Sequence, residues 1–134
     1  MSETTDINKI TVTEGRMPQE SGECLADWLL EQNYGYKIGD KITISSGDDK
    51  AIEDIVNTQT YTITGFGKSS YYLDLTRDSS TIGNGSMSGF LIIPEDNFTL
   101  EAFTEIDVLV DGAIALDCYS DAYEDAVDEV TQKI

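Results

Sequence analysis

Histidine is absent from this 134-residue sequence, and only eight Lys and Arg stand against 26 Asp and Glu, which gives a net charge of −18 at pH 7. Without histidine, Ser-His-Asp and Cys-His catalytic sites are excluded. A surface this acidic repels phosphate backbones and anionic lipid, so we expect no nucleic-acid partner and no direct docking on lipid headgroups. The excess of carboxylates favours a solvated surface over a dedicated cation site.

Long apolar runs are also missing. One of the longest apolar runs is residues 90–93 (FLII). A membrane-spanning helix needs about 20 predominantly apolar residues, so this run is far too short. The first ten residues lack the basic and apolar regions of a signal peptide. Two interpretations follow: a cytosolic protein, or a segment cut from a longer chain.

Cysteine occurs twice, at Cys24 and Cys118, and their spacing matches no zinc motif. Two alternatives remain open for these thiols. They form a disulfide if the domain lies in an oxidising compartment, or they remain separate and partly buried as small hydrophobic side chains.

The sequence contains enough apolar residues, 40%, for one folded domain. Alternating or continuous apolar residues predict strands, and Gly or Pro follows several of them. These predicted strands cover residues 7–13, 41–45, 61–66 (ending at Gly67), 90–93 and 105–111. Strands grouped in this way with two helices predict fold class α+β.

Two helices are predicted from capping signals and helical spacing. In the first, Ser21 is the expected cap, one face carries Leu25, Trp28 and Leu29, and Gly35 ends the helix. The second begins at a capping box in residues 121–124 (DAYE). Its apolar face comprises Tyr123, Ala126, Val127, Val130 and Ile134.

The segment 69–89 is dense in Ser, Thr, Gly and Tyr and shows no period, which predicts a long irregular loop. Such loops are often functional, so we expect this one to contact a substrate or partner through Tyr71, Tyr72 and Arg77. The glycines in 83–89 lack phosphate-loop spacing, and the acidic clusters 48–49 and 117–128 lack that of an EF-hand. We therefore predict no cofactor, no metal site and no enzymatic activity.

Several short sequence segments of this chain, which we call strings, indicate a family resemblance when they are taken together. In order and spacing they resemble the extracytoplasmic domain (MacB-like periplasmic core) of FtsX/MacB-like ABC transporter permeases of the Gram-positive type. The strings are residues 14–18 (EGRMP), 21–23 (SGE), 36–42 (YKIGDKI), 61–66 (YTITGF), 69–73 (SSYYL), 82–85 (IGNG), 90–94 (FLIIP) and 116–123 (LDCYSDAY). Cys24 and Cys118 depart from the residues expected in that family.

The resemblance implies that residues 1–134 are one domain on the outer side of a cell membrane, between the first and second transmembrane helices of a permease. Residues 37–94 would be mostly a β-rich "sabre" subdomain and 105–134 a β-α half of a "porter" unit, the other half preceding Met1. The implied partners are the transmembrane helices and a cytoplasmic ABC ATPase. The implied role is export of a peptide, lipid or protein, or transmission of force, without catalytic residues.

Two other function classes remain as alternatives. One is a free-standing extracellular module that binds carbohydrate or peptide. The other is a carboxylate-based hydrolase, because a chain with 26 acidic residues offers many pairs of carboxylates, although none lies in a recognisable motif.

Overall fold

The structure is a computed structural model that describes residues 8–46, 51–72, 75, 77, 86–99 and 108–133. The chain divides into two compact units, 1–102 and 103–134. Among the described residues, the first unit contains a mixed sheet and an α-helix and the second contains another α-helix, so the fold is α+β as the sequence predicts. The elements are β1 Ile10–Gly15, β2 Glu23–Asp27, α1 Trp28–Tyr34, β3 Lys41–Thr43, β4 Thr60–Ser69, β5 Leu91–Ile92 and α2 Asp121–Thr131.

The ten-residue strand β4 organises the five-stranded sheet. The strand order is β1-β4-β2-β5, and β3 pairs with the first residues of β4. β4 runs parallel to β2 and antiparallel to β1 and β3, while β2 and β5 are antiparallel. The sheet therefore includes β1 and β2, which precede the predicted β-rich subdomain of residues 37–94.

Glycine allows β4 to run further than the sequence predicts. The predicted end at Gly67 is wrong, since β4 continues to Ser69. A side chain at Gly65 would place its Cβ 2.5 Å from the carbonyl oxygen of Glu14, so a glycine is required where β1 crosses this strand. The pairing register between the antiparallel strands β1 and β4 shifts close to this contact. The shift is a β-bulge or irregularity between Val12 and Glu14.

The first helix begins later than predicted. Ser21 is not its cap, because Glu23–Asp27 form β2 and the cap is Asp27, whose carboxylate accepts from the Leu29 amide. A short apolar run that is buried on both faces of a sheet cannot be distinguished from a helix segment by its period alone. The predicted end is confirmed, since Gly35 has φ +74° and its amide donates to the Glu31 carbonyl.

Two apolar clusters form the core of the first unit on opposite faces of the sheet, since neighbouring residues of β2 enter different clusters. The larger cluster includes Cys24, Ala26, Tyr61 and Ile63, with α1 contributing Leu30. In the smaller one Leu25, Phe90 and Ile92 are buried, and the side chains packed on them are Ile10, Met17 and Tyr72.

The second unit agrees only partly with the sequence analysis. Helix α2 is confirmed, with Ser120 as its cap in place of a box starting at Asp121. The predicted strand 105–111 is described only at 108–111, where no strand forms, and Ile134 lies outside the described residues. Neither α1 nor α2, the helices found in the described parts of the chain, has the length and apolar character to cross a membrane.

Candidate functional site

The candidate site lies where the two parallel strands β2 and β4 end. β2 ends at Asp27, which pairs with Gly67 of β4, and Tyr71 and Tyr72 follow soon after the end of β4. Arg77 and Phe90 contact the same place. We call Asp27, Tyr71, Tyr72, Arg77 and Phe90 the carboxyl-end cluster. The corresponding end of parallel strands is where ligands bind in open α/β sheets.

A buried ion pair forms the centre of this cluster. Arg77 Nε lies 2.7 Å from Asp27 Oδ2, and Arg77 Nη2 lies 2.9 Å from Asp27 Oδ1. The exposed fractions of the two side chains are 2% and 0%. A side-on guanidinium–carboxylate pair of this kind makes two charge-assisted hydrogen bonds, which compensate for part of the cost of removing both charges from water.

The same carboxylate also fixes the start of α1. Asp27 Oδ1 accepts from the backbone amide of Leu29 at 3.1 Å, and the backbone amide of Asp27 donates to the carbonyl of Phe90 at 2.9 Å. Asp27 therefore joins three chain segments: the β2–α1 junction, the segment that carries Arg77 and the start of β5.

Aromatic rings cover the ion pair. The guanidinium carbon of Arg77 lies 5.1 Å from the ring centroid of Tyr72 and 5.9 Å from that of Phe90. The Tyr72 and Phe90 rings stack with centroids 5.6 Å apart, and Tyr71 contacts Tyr72 edge-on at 5.2 Å. Tyr71 is 44% exposed, so the cluster extends from the buried carboxylate to the surface.

The structure brings the three predicted loop residues together but gives them different roles. Arg77, which the sequence predicts as a contact for a substrate or partner, has its side chain buried against Asp27. Tyr72 packs on the core, and Tyr71 is the residue of the three with a large exposed surface. Much of segment 69–89 lies outside the described residues, so its predicted irregular structure is not described there.

Sequence reasoning missed Asp27 as a site residue. A signal was present, because this acidic residue interrupts an otherwise apolar run, CLADWLL. An Asp is almost never fully buried without a partner, so its position within a buried strand indicates a nearby cation. The sequence alone could not say which of the eight basic residues supplies it.

The Asp27 carboxylate is fully engaged in hydrogen bonds within the cluster. Both oxygens of the Asp27 carboxylate accept hydrogen bonds from Arg77 or the Leu29 amide, so this group is not poised as a nucleophile or general base. Within the described residues, no group of three or more Cys, Asp or Glu is arranged to hold a metal ion.

The two cysteines are free thiols in the structure, so the disulfide that the sequence left open is not formed there. Cys24 is fully buried in β2, and burial raises the pKa of its thiol to about 12. Cys118 is exposed in the other unit. A disulfide between them therefore remains a prediction for oxidising conditions alone.

A second polar arrangement closes the turn between β1 and β2. Arg16 donates through Nη1 to Glu23 Oε2 at 2.8 Å and through Nη2 to Glu23 Oε1 at 2.5 Å. The amides of Gln19 and Glu20 also donate to this carboxylate. The hydrogen bond from Arg16, followed by that from the Gln19 amide, lowers the pKa of Glu23 to about 2.

Three separate segments meet at the middle of β4. The Arg16 amide donates to the Thr64 carbonyl at 3.1 Å, and the Thr64 hydroxyl donates to the Arg16 carbonyl at 3.1 Å. On the neighbouring residue, the Ile63 carbonyl accepts from the Gly39 amide at 2.8 Å and the Ile63 amide donates to the Asp40 carbonyl at 2.9 Å. We call this arrangement, formed by segments 14–16, 39–40 and 63–65, the β4 junction.

Comparison with family models, with curated proteins and with solved structures finds no match to this chain.

Proposed function

We propose that this chain is the extracytoplasmic domain of an FtsX/MacB-like ABC transporter permease. In this proposal it binds a substrate or partner outside the membrane and relays the conformational change that a cytoplasmic ATPase drives. It has no catalytic role of its own. The observation that carries the proposal is the β4 junction.

The β4 junction matters because the strings that resemble the permease family are far apart in sequence. Residues of strings 14–18 and 36–42 hydrogen-bond to Ile63 and Thr64, which belong to string 61–66. Gly15 adds a close contact, since a Cβ there would lie 2.3 Å from the Thr64 carbonyl oxygen. The strings that carry the resemblance therefore meet at one place in the fold, and this is the observation on which the proposal rests.

The second unit supports a role within a larger protein. None of its described residues, 108–133, is buried, and Ile114 and Tyr119 are 100% and 95% exposed. Helix α2 has eleven residues, and a helix of that length is marginal in water without tertiary packing. We infer that this unit packs against another part of the permease, as a half of a porter unit would.

The acidic surface is compatible with a domain that projects away from a membrane. A net charge of −18 opposes contact with anionic lipid headgroups. It also raises the local concentration of cationic ligands by long-range attraction. Of the substrate classes that the family exports, this charge favours cationic peptides over anionic lipids.

The proposal is tested by isolating the native gene product with an antibody raised against this domain. We expect the antigen to require detergent for extraction from membranes and to co-purify with an ABC ATPase. The purified 134-residue chain should neither bind nor hydrolyse ATP. An antigen of about 15 kDa in the soluble fraction, or ATPase activity in the pure chain, would contradict the proposal.

A further inference from the structure

We propose that the Asp27–Arg77 ion pair is a latch with two states, closed and open, which couples the exposed Tyr71 to the start of α1. The structure holds the closed state. This inference concerns motion within the first unit and does not depend on the proposed function.

The burial of both charges makes an intermediate state of the latch unfavourable. If Arg77 moved away alone, Asp27 would remain fully buried with the Leu29 amide as its other side-chain hydrogen bond. An uncompensated buried charge is strongly unfavourable, so Asp27 must then be hydrated as well. Because the same carboxylate caps α1 through the Leu29 amide, a movement of Asp27 into water would displace or weaken this cap, and in the proposed latch the two changes occur together.

The backbone on the other side of Asp27 packs tightly against it. A Cβ on Gly89 would lie 3.2 Å from the Asp27 Cβ and 3.1 Å from Leu30 Cγ, so this segment packs directly on the junction. The next residue, Phe90, accepts from the Asp27 amide and stacks on Tyr72. Tightly packed junctions of this kind switch between arrangements and do not deform gradually.

A continuous set of contacts leads from the surface to this latch. Tyr71 contacts Tyr72, the Tyr72 ring faces Arg77, and Arg77 holds Asp27. A partner that draws Tyr71 outward therefore pulls on the ring that covers the guanidinium. In this proposal the effect reaches α1 through the Leu29 amide, which donates to the same carboxylate that Arg77 holds.

Amide hydrogen exchange on the complete 134-residue chain tests the latch. Its reporters are the Leu29 amide, which donates to the Asp27 side chain, and the Asp27 amide, which donates to Phe90. In Arg77→Gln we expect both to exchange about 100-fold faster or more, because one charge is left unpaired. The Ile63 amide in β4 should keep its wild-type exchange rate.

The matched control is Arg16→Gln, which removes an exposed ion pair and should leave the Leu29 amide unchanged. If Arg77→Gln does not fold, the variant Asp27→Asn/Arg77→Gln removes both charges and keeps a capping side chain. Its Leu29 exchange rate should lie within about 10-fold of the wild-type rate. Uniform acceleration of all amides including Ile63, or no acceleration at Leu29, would overturn the latch.

Discussion

Gly15 and Gly65 face each other across β1 and β4, with no room for a side chain on either. A Cβ on Gly15 would lie 2.7 Å from the Gly65 Cα, and a Cβ on Gly65 would lie 2.8 Å from the Arg16 amide nitrogen. This pair allows the segment 14–16 to reach the middle of β4. The β4 junction, on which the proposed function depends, therefore rests on these two glycines.

Replacing Gly15 should destabilise the fold more than replacing another glycine of similar backbone conformation. Gly15→Ala combines φ +73° with a backbone clash, and we expect a loss of more than about 3 kcal/mol in the free energy of unfolding. Gly22→Ala is the matched control, because Gly22 has φ +84° with nothing within 4 Å. The Gly22→Ala variant should lose about 1–2 kcal/mol in the free energy of unfolding. Denaturant unfolding followed by the fluorescence of Trp28 measures both, and equal losses would contradict the close approach.

The Arg16–Glu23 pair should give the folded state a specific acid sensitivity. The pKa of Glu23 falls from the ordinary 4.5 to about 2 in the folded chain. Its contribution to stability is therefore present above pH 4.5 and disappears as the pH falls towards 2. Glu23→Gln should lose this component, so the difference in stability between wild type and variant shrinks between pH 6 and 2.

The control for this comparison is Glu129→Gln, which removes an exposed pair with Lys133 in α2. It shares the loss of one negative charge, so it separates the effect of net charge from the loss of the Arg16–Glu23 pair. Parallel pH profiles for wild type and Glu23→Gln would show that the Arg16 fork is not formed in solution.

The two thiols should differ sharply in reactivity. At pH 8 we expect a thiol reagent to modify Cys118 rapidly and Cys24 only after unfolding, because Cys24 is buried and its pKa is about 12. Cys118→Ser should abolish the rapid phase and leave the slow one. In protein prepared under oxidising conditions, a peptide pair joined through Cys24 and Cys118 in non-reducing mass spectrometry would instead establish the disulfide.

Removal of the exposed ring should weaken the latch without breaking it. Tyr71→Ala loses one edge-on aromatic contact with Tyr72, and we expect the Leu29 amide to exchange about 3- to 10-fold faster. Tyr119→Ala is the control, since Tyr119 is 95% exposed in the second unit. If the Leu29 amide of Tyr71→Ala exchanges at the wild-type rate, Tyr71 is not coupled to the Asp27–Arg77 ion pair.

Local sequence signals predicted those parts of the fold that local chemistry decides. The Tyr- and Thr-rich run in β4, the glycine at the end of α1 and the apolar stripe of α2 each have a pattern that one element explains. The start of α1 was predicted wrongly because residues 24–30 (CLADWLL) contain both part of a buried strand and the start of a helix. Nothing within that run reveals that β4 and β5 pair with its first half.

The candidate site was predicted only in part, for a related reason. Tyr71, Tyr72 and Arg77 stood out because they lie in a long irregular segment. The partner of Arg77 is 50 residues away in sequence, so its burial depends on the sheet bringing Asp27 to the same edge. From sequence alone, an Arg in an irregular segment is interpreted as a surface residue. Its burial can be recognised only when the fold shows that an acidic side chain, here Asp27, lies beside it.

Labelling of Cys118 in intact cells tests the central claim most directly, because this exposed thiol and the buried Cys24 form a native reporter and an internal control. Cells producing the native gene product are treated first with a reductant that cannot cross membranes, so that any disulfide at Cys118 is opened, and then with a maleimide that cannot cross membranes, and their membranes are then isolated. We predict labelling before lysis, in the membrane fraction, that disappears in Cys118→Ser. Labelling that requires lysis would contradict an extracytoplasmic domain, and a labelled protein released in soluble form would contradict a permease.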